Sequence, residues 1–149
     1  IKLIKNVISS SLKPLVADAD AINAIADNLL VLRKAKSELV LTPHPGEMGR
    51  LLHTSTKGIQ RDRWRITREL ADKYGIVVLL KGAHSVIAGS DKKIYINSTG
   101  NPGMASGGVG DALTGIIASL IGQGFKPLTA TRLGAYIHGK AGDLAAEQK

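Results

Sequence analysis

The run Asn97-Ser-Thr-Gly-Asn-Pro-Gly-Met-Ala-Ser-Gly-Gly-Val-Gly-Asp111 has the makings of an anion site with a base beside it. Gly107, Gly108 and Gly110 remove Cβ atoms just where an apolar helix pattern begins. Free backbone N–H groups and the positive end of a helix dipole then face outward, an arrangement suited to phosphate. A carboxylate in that first turn repels a phosphate unless it has another task. Taking a proton from a hydroxyl that attacks phosphorus is such a task, which makes Asp111 a candidate base. A tight helix entry, with Asp111 as an ordinary partner of the dipole, is the plainer alternative. No Lys-Ser or Lys-Thr follows the glycines, so this is not a Walker loop.

Three other segments carry chemistry-bearing side chains. Lys81-Gly82-Ala83-His84-Ser85 follows the apolar run Ile76 to Leu80, which reads as a buried parallel strand. Ligands of open parallel sheets bind at the carboxyl ends of strands, so Lys81 is placed either to meet a phosphate or to sit solvated in a strand-to-hairpin turn. Thr42-Pro-His-Pro-Gly-Glu47 also ends a predicted strand, and its prolines fix the direction of His44, as a substrate contact or as a structural hydrogen-bonder. Asp18-Ala-Asp20 ends the first strand; one carboxylate is explained by capping the next helix, and either could face the cleft. In Arg61-Asp-Arg-Trp-Arg-Ile-Thr-Arg68, arginines 61, 65 and 68 share one helix face, the usual solvated side of an amphipathic helix. With Trp64 as the lone aromatic among them, this is not a nucleic-acid reading surface.

The elements that must position these residues alternate along the chain. Helices are expected over residues 2–12, 19–26, 47–52, 60–73 and 129–147, with another running from the glycines through Leu113, Ile117 and Ile121. In the helix over 60–73, Trp64, Ile66, Leu70 and Ala71 form the expected buried stripe, and Gly75 stops it. Strands are expected at Leu15 to Ala17, Glu38 to Thr42 and Ile76 to Leu80, with a hairpin of Val86 to Ala88 and Ile94 to Ile96 turning at Gly89-Ser90-Asp91. This alternation predicts an α/β domain with a mainly parallel sheet.

Composition sets the outer limits. The chain of 149 residues is 44% hydrophobic and 21% charged, which suits a globular fold with one sizeable core. It has no cysteine, which excludes disulfides, thiolate metal sites and a cysteine nucleophile and fits a reducing compartment. Twenty basic against twelve acidic residues give a net charge of +8, favouring an anionic partner. No apolar run approaches the roughly 18 residues of a membrane span, and no export signal is visible.

In this order, Asp18 to Asn23, Thr42 to Glu47, Lys81 to Ser85, Asn97 to Asp111 and Tyr136 to Asp143 resemble the ADP/ATP-dependent NAD(P)H-hydrate dehydratases, a branch of the ribokinase-like superfamily. The resemblance spans nearly the whole chain. It implies a three-layer ribokinase-like fold, with residues 1–149 forming part of a longer domain whose first third to half lies upstream of Ile1. It implies loss of water from the S epimer of hydrated NADH or NADPH, driven by ADP or ATP with Mg²⁺ held mainly by phosphate and water, in a cytoplasmic homo-oligomer with neither nucleic acid nor membrane as partner. Lys81, Gly82, Ala83, His84, Ser85, Gly107, Gly108 and Gly110 would then serve the nucleotide, and His44 and Asp111 the hydrated cofactor, with Asp111 as base. Ser85 and Ser106 are mild departures from the family pattern. A kinase of a small hydroxylated metabolite would use the same anion site and base, and an inactive nucleotide-binding fragment is the non-enzymatic alternative.

Overall fold

Three short apolar runs build the centre of the molecule. In the computed structural model, which describes residues 1–148, β1 (Leu15–Ala17), β2 (Leu39–Leu41) and β3 (Val77–Leu80) lie side by side as parallel strands. Leu15 pairs with Leu39, and Val40 with Val77. β4 (Val86–Ala88) and β5 (Ile94–Ile96) continue the sheet as an antiparallel hairpin on β3, giving the order β1-β2-β3-β4-β5. The α/β class and the hairpin are as expected; the parallel character is confined to the first three strands.

Among the described residues, seven α-helices connect and cover the strands: α1 (Lys2–Ser10), α2 (Asp20–Ile25), α3 (Pro45–Leu51), α4 (Thr56–Arg61), α5 (Arg63–Tyr74), α6 (Val109–Gly122) and α7 (Pro127–Glu147). Side chains alternate across a strand, so each apolar run supplies two cores. Leu39, Leu41, Val78 and Leu80 face a core built with Ile22, Ile25, Met48, Leu51, Ile59 and Leu70 of α2 to α5. Val40, Val77, Leu79 and Ile87 face Leu113, Ile117, Ala130 and Ala135 of α6 and α7. The three layers are helices, sheet, helices.

Two expectations about the arginine-rich segment are corrected. The helix over 60–73 is two helices, because Asp62 leaves helical geometry (φ −146°, ψ 57°) and caps α5, its carboxylate accepting the Arg65 N–H at 3.3 Å. The break rotates the stripe: Thr67, Leu70 and Ala71 are buried, whereas Trp64 is 63% exposed. The solvated arginines are largely neutralised by carboxylates of α5 and its cap. Arg65 Nε lies 2.6 Å from Asp62 and Nη1 3.1 Å from Glu69, and Arg68 lies 3.6 Å from Asp72. A third correction concerns α2, whose N-cap is Ala19 with no side-chain cap, so neither Asp18 nor Asp20 caps it.

Candidate active site at the carboxyl edge of the sheet

Because β1, β2 and β3 are parallel, the residues that follow them emerge together on one edge. Asp18 follows β1, Thr42 to His44 follow β2, and Lys81 follows β3. Backbone bonds hold this edge in register: Thr42 N–H donates to Ala17 O at 3.2 Å and Lys81 N–H to Pro43 O at 2.8 Å.

The side chains meet in one network. Lys81 Nζ donates to Asp18 Oδ1 at 2.7 Å and lies 3.9 Å from Glu47 Oε2. The Thr114 hydroxyl, one turn into α6, donates to Asp18 Oδ2 at 2.8 Å. Burial alone would raise the Asp18 carboxyl, but the bonds from Lys81 and Thr114 outweigh it and hold that group below the usual carboxylate range. Gly110 closes over this cluster. A Cβ there would stand 3.3 Å from Lys81 Nζ and 3.8 Å from Asp18 Oδ2, tighter than ordinary contact on the lysine side.

His44 joins the network through a helix cap. Its Nδ1 accepts the N–H groups of Gly46 at 3.0 Å and Glu47 at 3.4 Å, while the buried Glu47 carboxylate accepts the His44 N–H at 2.7 Å, a reciprocal capping box at the start of α3. An accepting Nδ1 leaves the ring proton on Nε2, which lies 3.4 Å from Glu47 Oε1.

Above the cluster, α6 begins at the glycines. Gly108 is its N-cap in left-handed geometry (φ 85°), without a side-chain cap, and the positions of missing Cβ atoms at Gly107 and Gly108 open into free space. Val109 N–H is taken by Ser106 O at 3.4 Å, and no side chain of Gly108 caps the N–H groups that follow it at the start of this 14-residue helix. Asp111 is exposed in that first turn, next in sequence to Gly110.

The Lys81 to Ser85 turn is shaped from outside. Arg63 Nη1 donates to Ala83 O at 2.5 Å, and Nη2 lies 3.2 Å from Leu80 O and 3.3 Å from Lys81 O. Burial shifts that guanidinium below its usual pKa. Gly82 (φ 138°) leaves room for Arg63, whose Nη2 would be 3.1 Å from a Cβ there. Ala83 and His84 are exposed, and the Ser85 hydroxyl turns inward to Gly82 O at 3.0 Å. Sequence reasoning placed Arg61, Arg65 and Arg68 on a solvated face and gave Arg63 no role; the break at Asp62 is what directs it to the turn.

The long segment before α6 is gripped by α7. Asn97 Nδ2 donates to Ala135 O at 3.1 Å, Gly100 N–H donates to Asp143 Oδ2 at 3.0 Å, and Asn101 Nδ2 to Asp143 Oδ1 at 3.2 Å. The bonds from Gly100 and Asn101 hold the Asp143 carboxyl below its ordinary value. Gly139 and Gly142 let the segment lie directly on α7, since a Cβ at either would overlap Thr99 or Met104. His138 is half-buried and bonded to the backbone of Val109, the first residue of α6; burial pushes its imidazole below its usual value.

The structure therefore brings together His44, Lys81 and Gly110, and adds Asp18, Glu47 and Thr114 as the groups that hold them. Among the described residues, no three His, Cys, Asp or Glu side chains gather where they could hold a metal ion, and no helix is long and apolar enough to cross a membrane.

A family model described as NAD(P)H-hydrate dehydratase matches residues 1–149. The chain is 54% identical over 149 residues to a bifunctional NAD(P)H-hydrate repair enzyme of Moorella thermoacetica, covering all of this chain and 28% of that protein. It superimposes with a TM-score of 0.79 and 32% identity on an ADP/ATP-dependent NAD(P)H-hydrate dehydratase from Bacillus subtilis co-crystallised with ATP and Mg²⁺, covering 91% of this chain and 47% of that one. A ribokinase-like superfamily protein from Enterococcus faecalis gives 0.81 at 32% identity, over 99% of this chain and 51% of that one. The chain thus spans about half, or less, of the length of these relatives.

Proposed function

The chain belongs to the NAD(P)H-hydrate dehydratase family, and from that membership we propose that the protein carrying it dehydrates the S epimer of hydrated NADH or NADPH at the expense of ADP or ATP. In this reading residues 1–149 are one part of a larger ribokinase-like domain. The observation that carries it is the meeting of four sequence-distant motifs at one sheet edge, with Gly110 packed over the Lys81 and Asp18 pair.

The uncapped start of α6, at Gly107, Gly108 and Gly110, would receive the terminal phosphoryl group, where its N–H groups can oppose the charge that builds during transfer. Lys81 has three donors; Asp18 takes one, and the ammonium stays beside Gly110, under the phosphate position. The turn from Gly82 to Ser85, stapled by Arg63, would carry the rest of the nucleotide. His44 would contact the hydrated cofactor. Asp111 would take the proton of the ring hydroxyl as its oxygen attacks the terminal phosphorus and AMP or ADP leaves. Loss of phosphate with a neighbouring ring proton then restores the dihydronicotinamide. Mg²⁺ would arrive with the nucleotide, held by phosphate oxygens and water, and supply charge neutralisation. The reading places the protein in the cytoplasm as a homo-oligomer.

The test is to incubate the full-length protein with hydrated NADH and ADP or ATP, following the near-ultraviolet absorbance of the dihydronicotinamide together with released phosphate. Both should rise in equal amounts. A stable phosphorylated product would assign a kinase instead, and no product with either nucleotide would sink the reading.

A further inference from the structure

A groove opens beside His44, between α2 and the α3 to α4 segment, with a volume of about 920 Å³ and a wall that includes Asn23, Asp27, Gly46, Arg50 and His53. That volume is within the range of small-molecule sites. Gly46 makes it continuous with the cap, because the same residue lines the groove and donates its N–H to His44 Nδ1. Helical side chains lean toward the helix N-terminus, and Arg50 accordingly reaches back along α3 until its Nη1 would lie 4.0 Å from a Gly46 Cβ.

The charge of Arg50 is unneutralised. Its Nε donates to Asn23 Oδ1 at 2.8 Å, a neutral partner that fixes the guanidinium plane, and among the described residues it makes no salt bridge. Asp27 is a carboxylate in the same groove, so an anionic group is favoured at the Arg50 and Gly46 end and disfavoured near Asp27. The end that attracts an anion is therefore the end that adjoins His44.

We propose that this groove receives the part of the substrate beyond its reacting ring, and that Arg50 binds the diphosphate linking the two nucleosides of the hydrated dinucleotide. The inference rests on the reading that His44 faces the hydrated nicotinamide. A ring at His44 places the diphosphate one ribose away, and Arg50 is the unpaired cation beside that cap. Planar guanidinium groups suit bidentate contact with phosphate oxygens.

The test uses the full-length protein with Arg50→Gln and Arg50→Lys, measuring KM and kcat for hydrated NADH and, separately, KM for the nucleotide. Arg50→Gln should raise KM for the dinucleotide about 10- to 100-fold, the size of a lost charge-assisted bond, with kcat and the nucleotide KM within a few-fold of wild type. Arg50→Lys should recover part of that loss. Raising the salt concentration should weaken the dinucleotide KM of wild type more than that of Arg50→Gln. An unchanged dinucleotide KM in Arg50→Gln, in a wild type that turns over, overturns the inference and leaves the dehydratase reading standing. Equal losses in kcat and in nucleotide KM also overturn it, since they would mark Arg50 as a support of α3. Absence of turnover in the wild type itself overturns both.

Discussion

At the scale of single residues, charge is shared rather than paired. Lys81 stands between two carboxylates, Asp18 and Glu47, and Thr114 completes the coordination of Asp18. Asp111, exposed in the first turn of α6, stands outside this network and is the group to which the proposed function gives proton transfer. Asp111→Asn should lower turnover about 100- to 10,000-fold while leaving nucleotide affinity nearly unchanged, as read by steady-state kinetics beside calorimetric titration with ADP. Near-normal turnover would remove Asp111 from the base role. The placement of Lys81 and His44 at the sheet edge was legible in the sequence because each follows an apolar run at the point where a strand must end. Asp18 was less so: an aspartate before a helix has the same signature whether it caps the helix or turns into a cleft, and only the parallel register of β1 with β2 and β3 decides. Thr114 sits inside an apolar helix pattern that offers no hint of a partner 96 residues away.

At the scale of elements, α7 is the brace of the site. Its Gly139 and Gly142 admit the 97–104 segment against the helix backbone, and Asp143 ties down Gly100 and Asn101. Gly139→Ala should push Thr99 away and cost about 1–3 kcal/mol by urea denaturation, and the displaced segment should weaken nucleotide binding at the α6 start. Unchanged stability and binding would show that the contact is easily relaxed. Leu79, buried in β3 against α6 and α7, provides the comparison: Leu79→Ala should cost about 2–5 kcal/mol through the cavity it leaves. The hairpin of β4 and β5 was readable from Gly89-Ser90-Asp91 between two β-branched runs. The break between α4 and α5 was not, because helical periodicity on both sides continues past Asp62 with a change of phase. That change carried Trp64 to the surface and Arg63 to the Lys81 turn.

At the scale of the whole molecule, acid should act through the aspartates that folding has made more acidic. Asp18 and Asp143 both have folded values below the ordinary 3.8. Stability from such groups is complete above the unfolded value and is lost as pH falls through it toward the folded one. The urea midpoint should therefore fall steadily below about pH 4, and Asp18→Asn should flatten that acid limb. An acid limb of the same steepness in the variant would discount Asp18. The sheet also has a boundary that bears on handling. Among the described residues β1 has a strand neighbour on one side only, and Leu15 and Val16 are half-buried there. Its outer row of backbone donors and acceptors is a template for another strand, the usual seed of edge-to-edge aggregation. Residues 1–149 produced alone should self-associate as concentration rises, with sedimentation coefficients climbing accordingly, whereas a longer protein that continues the sheet past β1 should sediment as one defined species.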